Sequence, residues 1–257
     1  MEQTIRRLQK PQCAAALFAE WEETLIWSCL QGVMGGVYGD HPKEPASAAA
    51  ILGDFCFLAG KPSHALASYK PEGSSRDFII MIPQNEAWGR AIRECWMEKA
   101  KEVTRYALKK DPDVFDRKKL LEMASRLPEG YVIRPIDKEL YLRCRDREWS
   151  RDLAGQYRDF AEYERLGLGF AVLKGNEIIA GASSYSAYQE GIEIQIDTRR
   201  DHRRKGLARA CGAALILECR KRGLYPSWDA QNPESLALAR QLGYQMSHPY
   251  TAYEVLL

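Results

Sequence analysis

The sequence predicts an α/β fold with a mixed sheet, organised as two domains. Segments typical of strands and of helices alternate along the 257 residues, which is the pattern of an α/β chain. Three strand segments follow one another at 169–198, as in an antiparallel meander. The turn-rich stretch LPEG at 127–130 separates two such series of elements. We therefore expect a smaller α/β domain over 1–127 and a second domain over 128–257.

Composition excludes several classes of protein. The chain carries 37 Lys and Arg against 35 Asp and Glu, far from the basic excess of a nucleic-acid-binding domain. No apolar run approaches the ~18 residues of a membrane span, and the first residues lack the apolar stretch of a signal peptide.

Cysteine and histidine usage narrows the classes further. Seven cysteines without a CxxC pair favour a reducing compartment, and four scattered histidines oppose a metal site. We expect a cytoplasmic protein without a metal, nucleic-acid partner or membrane. The oligomeric state stays open, with a homodimer as one option.

The first half predicts a small α/β domain without a cofactor loop. NEAWGRAIRECWMEKA predicts an amphipathic helix, because Trp88, Ile92 and Trp96 recur on one face. No GxGxxG follows a strand here, so we expect no cofactor in this half. The other predicted elements are a short helix in 14–23, a long-looped β-hairpin formed by 24–40 and 47–60, a polar loop at 61–77, strands at 77–83 and 101–110, and a helix at 115–127.

The two halves show hairpin, strand and helix in a similar order, although no internal repeat is visible, and the first half could be a degenerate copy of the second. The meander turns at Gly175–Asn176 and at Gly191. A helix at 232–244 has Asn232 as its N-cap and Gly243 at its end. The remaining elements are a strand at 131–137, helices at 139–149, 152–167 and 206–222, and strands at 225–230 and 250–257.

The last meander strand alternates between apolar and polar residues. The isoleucines at 192, 194 and 196 face one way, and Glu193, Gln195 and Asp197 face the other. A solvent-facing strand carboxylate is the simplest interpretation of Glu193.

Three cations stand at the wrong end of the helix that follows this strand. Arg203, Arg204 and Lys205 immediately precede Gly206, where the helix dipole is positive and cations cost about 0.3–1 kcal/mol each. An anion reverses that sign, because free amides at a helix start bind phosphate. Gly206 lets the backbone approach the ligand closely, and Ala208 is small. The strand, basic loop, glycine and helix therefore predict a pyrophosphate site.

The stretch Arg203-Arg204-Lys205-Gly206-Leu207-Ala208 resembles the cofactor motif of the GNAT superfamily of acyl-CoA N-acyltransferases. That motif is Gln or Arg, two residues, Gly, one residue, then Gly or Ala, at a strand-to-helix turn. IEIQIDT at 192–198 and WDAQNPESLALARQLGY at 228–244 resemble the family's flanking elements. The resemblance covers about 131–257, and the layout is similar to a bacterial GNAT subfamily with a long N-terminal extension. It implies a GNAT-like fold for the second domain.

The resemblance also implies roles for individual residues. Backbone groups of Ile196, Asp197 and Thr198 would pair with the pantetheine arm of acetyl-CoA, and Asn232 would contact it. Glu193 falls near the position of the general base in some members. The pyrophosphate would be held by the loop and the start of the helix, which comprise Arg203, Arg204, Lys205, Gly206, Leu207 and Ala208.

Some of these roles have simpler alternatives. Asn232 could be a helix cap alone. Many family members have a tyrosine as general acid where this chain has Ala239, so the acid comes from elsewhere, with Tyr244 and Tyr253 as candidates, or is unnecessary.

The resemblance implies an acyl-CoA-dependent N-acyltransferase, with acetyl-CoA as the favoured donor and a primary amine of a small molecule or peptide as the acceptor. Two alternatives remain. One is a non-catalytic acyl-CoA-binding or sensing module. The other is a tandem-domain acyltransferase that uses another donor, such as aminoacyl-tRNA.

Overall fold

The computed structural model describes residues 4–70 and 77–257, in two compact units. The first unit comprises 1–105 and 249–257, and the second comprises 106–248. The boundary expected at 127/128 lies within the second unit, and the division into domains 1–127 and 128–257 stays a prediction. No helix in the described part of the chain is both long and apolar enough to span a membrane.

Strands and helices alternate along the described chain. The strands are β1 (Arg6–Arg7), β2 (Gly36–Gly39), β3 (Ser47–Leu52), β4 (Phe55–Gly60), β5 (Phe78–Pro83), β6 (Ala100–Leu108), β7 (Tyr131–Pro135), β8 (Gly169–Lys174), β9 (Glu177–Tyr188), β10 (Gly191–Thr198), β11 (Tyr225–Ser227), β12 (Asp229–Ala230) and β13 (Met246–Leu256). The α-helices are α1 (Thr24–Gln31), α2 (His64–Ala67), α3 (Glu86–Trp96), α4 (Arg117–Ser125), α5 (Lys138–Arg145), α6 (Phe160–Leu166), α7 (Leu207–Lys221) and α8 (Pro233–Leu242).

The first unit is built on a mixed sheet. Strands β1 to β4 pair antiparallel in chain order, β4 pairs parallel with β5, and β13 pairs antiparallel with β5. As the helical pattern predicts, Trp88 and Ile92 of α3 are fully buried, and they pack in one core with Leu58, Met81 and Val255. A mixed sheet with helices confirms the α/β class predicted from the sequence.

The predicted hairpin is wrong in its first part. Residues 24–31 form helix α1 rather than a strand, and β2 covers only Gly36–Gly39 before pairing with β3. The Glu23 side chain accepts a hydrogen bond from the amide of Leu25, and Gly32 ends the helix at φ 69°. The apolar run of α1 has no clear period, so these end signals decide its structure.

Three other predicted elements differ in extent. Residues 11–18 form a 3₁₀-helix in place of the α-helix expected at 14–23. The loop expected at 61–77 contains the single turn α2, capped by Ser63, and 71–76 lie outside the described residues. The helix expected at 152–167 is α-helical only over α6, because Asp159 caps the amide of Glu162 and starts the helix there.

The second unit contains the predicted meander. Its sheet has the order β11-β10-β9-β8-β7, in which β7 to β10 pair antiparallel and β11 pairs parallel with β10. Helix α7 packs on this sheet, and a side chain added at Gly212 would meet Ile196 at 3.0 Å. The strands and helices predicted between 169 and 244 are present, except that the single strand expected at 225–230 is divided into β11, which pairs with β10, and β12, which pairs with β6.

Candidate functional site

Strands β10 and β11 separate halfway along β10. Their last registered pair is Glu193 with Ser227. Beyond it, β12 pairs with β6 instead, while Ile194 to Thr198 continue to pair with β9. Among the described residues, this leaves one edge of β10 without a neighbouring strand from Ile194 onward, where an extended ligand could pair with the backbone.

The polar atoms on this open part of β10 are only partly satisfied. Thr198 Oγ1 is buried and has no hydrogen-bond partner among the described residues. Burial raises the pKa of the Asp197 carboxyl, although Gln195 donates a hydrogen bond of 2.8 Å to it. An unpaired buried hydroxyl costs about 1–3 kcal/mol, so the strand fits a ligand that supplies a polar group at this point.

The loop after β10 adopts two left-handed conformations before α7 begins. Arg204 has φ 62° and Gly206 has φ 78°. A residue with a Cβ in this region costs about 1–2 kcal/mol, so Arg204 is strained. The nearest atom to a Cβ built on Gly206 is an Arg209 guanidinium nitrogen, at 3.6 Å. The backbone before α7 is therefore open to close approach.

The start of α7 is electrostatically unusual. It has no side-chain cap and no acidic residue in its first turn. Arg203, Arg204 and Lys205 are exposed in front of it. The start of α7 therefore combines free amides, the positive end of the helix dipole and three cations. This arrangement is typical of a phosphate-binding site.

Two of these cations are positioned by other groups. Arg203 Nε donates to the carbonyl of Thr198 at 3.3 Å, which ties the loop to the end of β10. Lys205 Nζ donates to Tyr131 Oη at 3.5 Å, and Tyr131 Oη is 2.7 Å from His202 Nδ1. Desolvation, and then the neighbouring charge of Lys205, lower the pKa of His202 and so favour its neutral form.

The predicted general base is buried. Glu193 is only 5% exposed, so the interpretation as a solvent-facing strand carboxylate is wrong. The cause is that the sheet face that carries Glu193 is covered at this level, since the registered neighbours Ser186 and Ser227 on the same face are also buried. Glu193 thus lies at the separation point of β10 and β11.

Comparison with known proteins identifies the family. A family model described as GNAT acetyltransferase matches residues 15–253.

The chain belongs to the GNAT acetyltransferase family.

Membership makes the protein an N-acetyltransferase, as the resemblance implied, and the match extends well into the N-terminal half.

Individual relatives support the assignment. A crystal structure of a GCN5-related N-acetyltransferase-like protein from Streptococcus suis 89/1591 is 46% identical, covers 96% of this chain and 98% of that chain, and has a TM-score of 0.90. The uncharacterized N-acetyltransferase YdfB of Bacillus subtilis (strain 168) is 28% identical over 241 residues, which are 90% of this chain and 89% of the relative. A tandem GNAT protein from the clavulanic acid biosynthesis pathway is 10% identical at a TM-score of 0.55, with 98% of both chains covered, and shows the fold alone.

Asn232 stands at the start of the next GNAT helix. Its Oδ1 accepts a hydrogen bond of 2.8 Å from the amide of Ser235, so the predicted N-cap is present. The amide nitrogen of the same side chain has two further N–H donors. Capping and a contact with a ligand are therefore compatible.

The candidate general acids are engaged within the fold. Ala239, at the position of the tyrosine in many GNAT proteins, is fully buried on α8. Tyr244 is buried, its hydroxyl donates to the Pro226 carbonyl at 2.6 Å, and burial raises its pKa well above the usual value. Tyr253 belongs to the first unit, where its hydroxyl contacts Arg93 and Glu102.

Two polar residues beside Glu193 were not predicted. Ser186 and Ser227 are registered neighbours of Glu193, and their buried hydroxyls have no partner among the described residues. Sequence alone could not align them, since the alignment depends on a register shift in β9 and on the parallel pairing with β11. No cluster of metal-ligating side chains occurs in the described residues.

Proposed function

We propose that the protein transfers the acetyl group of acetyl-CoA to a primary amine of a small molecule or peptide, by direct attack of the amine on the thioester. The start of α7 carries this proposal, because it is uncapped, lacks acidic residues and is preceded by three exposed cations. A pyrophosphate is the anion that such a site fits best in this family.

In this proposal the cofactor lies along the open part of β10 and ends at α7. Backbone groups of Ile196, Asp197 and Thr198 pair with the pantetheine amides, and Asn232 donates to the arm. The pyrophosphate is held by the amides from Arg204 to Ala208 and by the charges of Arg203 to Lys205. The unpartnered Thr198 hydroxyl supports this placement.

Glu193 takes the proton of the acceptor amine, directly or through a water molecule. It is buried at the level where β10 and β11 separate, where the thioester is expected. Holding amine and thioester in one geometry supplies much of the rate. The thiolate leaves without help from residue 239, since a thiol is a stronger acid than an amine or alcohol.

The cysteines of the second unit favour direct attack over an acyl-enzyme. Burial raises the pKa of Cys144, Cys211 and Cys219 to about 12. The thiolate is the nucleophilic form of cysteine, and it is scarce at neutral pH with such a pKa. A covalent intermediate on one of these thiols is therefore disfavoured.

We assign the N-terminal half no cofactor. The likeness of fold to a tandem GNAT protein over 98% of the chain supports the interpretation that it is a degenerate GNAT-like unit. The chain should therefore bind one CoA.

Calorimetric titration with CoA, followed by acetyl transfer to a panel of primary amines, tests the function. We expect one CoA per chain, and release of CoA that depends on the amine. Two CoA molecules per chain would contradict the assignment of the N-terminal half. Binding without turnover for every amine would favour the alternative of an acyl-CoA sensor, which the absence of a tyrosine at Ala239 keeps open.

The pH profile of kcat/KM separates the roles of Glu193 and of the amine. Either group can produce an acidic limb, because each must lose a proton before attack. We expect Glu193→Gln to remove or displace the limb and to lower kcat about 100-fold. An unchanged profile with near-full activity would show that Glu193 is not the base.

A further inference from the structure

Helices α4 and α7 of the second unit border a groove that the proposed function does not use. Its volume is about 640 Å³, which lies in the range of small-molecule sites. On each helix the lining residues follow the spacing i, i+3, i+4 and i+7, so they share one face of that helix. They are Arg117, Leu120, Leu121 and Ala124 on α4, and Ala214, Leu217, Glu218 and Lys221 on α7.

Much of the groove lining is apolar and incompletely buried. Phe170 of β8 also lines the groove. Phe170, Ala214 and Leu217 all remain partly exposed, and Leu121 is 46% exposed. Continuous apolar surface inside a concave site is typical of a ligand-binding pocket. The groove therefore offers a surface on which an apolar chain can lose its contact with water.

The charged residues gather at one end of the groove. Arg220, in the last turn of α7, donates a hydrogen bond of 2.9 Å to the carbonyl of Pro112, which shortly precedes α4. The end of α7 therefore lies beside the start of α4, where Arg117 is the first residue. Ala124 lies about 10 Å along α4 from Arg117, and Ala214 about 9 Å back along α7 from Arg220. The groove thus has a cationic end and an apolar end.

The cationic end carries positive charge that the described residues do not compensate. The carboxylate of Glu218 lines the groove, but it already pairs with Arg222 at 2.9 Å and with Lys221 at 3.6 Å. Arg117 and Arg220 form no ion pair with a described carboxylate. A guanidinium matches the geometry of a carboxylate, which it can bind through two parallel hydrogen bonds. This end of the groove is therefore complementary to a carboxylate.

We propose that the groove binds an amphipathic carboxylate, namely a medium-chain fatty acid free in solution. Its alkyl chain lies against Phe170, Leu121 and Leu217, and its carboxylate lies between Arg117 and Arg220. A neutral chain of the same length gains the apolar contacts but not the two charged hydrogen bonds. A cationic chain is repelled by the two guanidinium groups.

The groove is separate from the proposed cofactor site, although both use α7. Ala214 lies about 10 Å along the helix from its first residue, Leu207. The lining residues include none of those assigned to CoA. The inference therefore goes beyond the proposed function and can hold or fail independently of it.

Calorimetric titration with alkyl ligands tests the proposal, with CoA present in excess to occupy the cofactor site. We expect one decanoate per chain. Octanoate should bind about tenfold more weakly, because it has two fewer methylene groups. Decan-1-ol should also bind about tenfold more weakly than decanoate, because it lacks the charged hydrogen bonds. An absence of decanoate binding, or equal affinities for decanoate and decan-1-ol, would overturn the inference.

Variants place the binding in the groove. Ala214→Trp fills the apolar end and should weaken decanoate and decan-1-ol at least about tenfold. Arg117→Gln and Arg220→Gln should each weaken decanoate about tenfold and leave decan-1-ol unchanged. Arg126→Gln is the control, since Arg126 follows the last turn of α4, contacts Glu122 and does not line the groove. It should keep the wild-type affinities.

Thermal unfolding identifies the folded variants, and the two arginine variants test the site at exposed positions even where Ala214→Trp does not fold. Wild-type affinity for decanoate in folded Ala214→Trp, or in both arginine variants, would overturn the inference. Sedimentation of the wild type and of Ala214→Trp adds a further test. A wild-type dimer that this substitution dissociates would show that a second copy of the chain covers the groove, and would also overturn it.

Discussion

The starts of α7 and α8 differ in whether a side chain of the protein caps their first amides. Both helices belong to the second unit, and each leaves its first amides without partners inside the helix. Helix α8 begins with Asn232 as a cap, Pro233 at its first position and Glu234 in its first turn. Helix α7 begins after Gly206 with no side-chain cap and no acid, behind three cations.

Helix α7 also differs from the other described α-helices in lacking a side-chain cap. In the described residues, each of the other seven α-helices has a side-chain cap, provided by Glu23, Ser63, Asn85, Asp116, Asp137, Asp159 and Asn232. At a capped start, a side chain of the protein itself accepts a hydrogen bond from a first-turn amide. The start of α7 has no such cap, and we propose that the pyrophosphate of the cofactor binds its free amides instead.

The largest effect is expected from closing the open start of α7. Gly206→Leu should weaken CoA binding at least about 100-fold, the equivalent of two lost hydrogen bonds to a charged group. Calorimetry on the folded variant measures this. Gly223→Leu is the matched control, since Gly223 has φ 72° and no atom within 4 Å of an added Cβ. Both variants should lose about 1–2 kcal/mol of unfolding free energy, but only the first should lose CoA. Equal CoA affinities for the Gly206→Leu and Gly223→Leu variants would contradict a special role for the start of α7.

Stability and binding should change in opposite directions at Arg204. Arg204→Gly relieves a left-handed residue with φ 62° and removes a cation from a helix start. We expect unfolding without CoA to cost about 1 kcal/mol more, and CoA to bind about tenfold more weakly. Denaturant titration and calorimetry measure the two changes. Lys221→Ala, in the last turn of α7, should keep the CoA affinity and gain no stability. A stabilised Arg204 variant with full CoA affinity would contradict the account.

The two roles of Asn232 can be separated by one substitution. Asn232→Asp keeps an oxygen for the Ser235 amide but loses the N–H donors proposed for the pantetheine arm. We expect unchanged stability and about three- to tenfold weaker CoA binding. Asn85→Asp is the control, because Asn85 caps α3 in the first unit with its Oδ1 3.1 Å from the Trp88 amide. If CoA affinity does not change, Asn232 is a cap alone.

The smallest effect concerns acid sensitivity of the loop. The pKa of His202 is lowered, chiefly by desolvation and then by Lys205. The unfolded chain then binds this proton more readily than the folded one, so stability is complete above about pH 6.5 and falls as the pH drops below it. Thermal unfolding of the wild type against His202→Gln should show their difference shrinking from pH 7.5 to pH 5. A stability difference between the two proteins that does not change with pH would contradict a lowered pKa for His202.

Local signals predicted most of the second unit. The glycines of the meander turns, Asn232 with Pro233, and Gly243 fix the ends of their elements within a few residues, because turns and caps depend on adjacent residues. Glu23 and Gly32 are helix-end signals of the same kind, but the apolar run between them favoured a strand, so α1 was not predicted.

Long-range pairing limited the prediction of the site. The cations before Gly206 could be interpreted from the sequence, since the dipole argument needs only adjacent residues. The placement of Ser186 and Ser227 beside Glu193 could not, because three strands must pair in one register to create it. The burial of Glu193 has the same origin. The proposed cofactor loop could thus be predicted from adjacent residues, whereas the burial and the neighbours of Glu193 depend on strand pairing.

The most direct test of the account is a crystal structure of the protein with CoA. We expect the pyrophosphate oxygens within hydrogen-bonding distance of the backbone amides of Arg204 to Ala208, and the pantetheine arm along Ile196 to Thr198. CoA bound away from the start of α7, with the 203–208 loop free of contacts to it, would contradict the central claim that this helix start is completed by the cofactor.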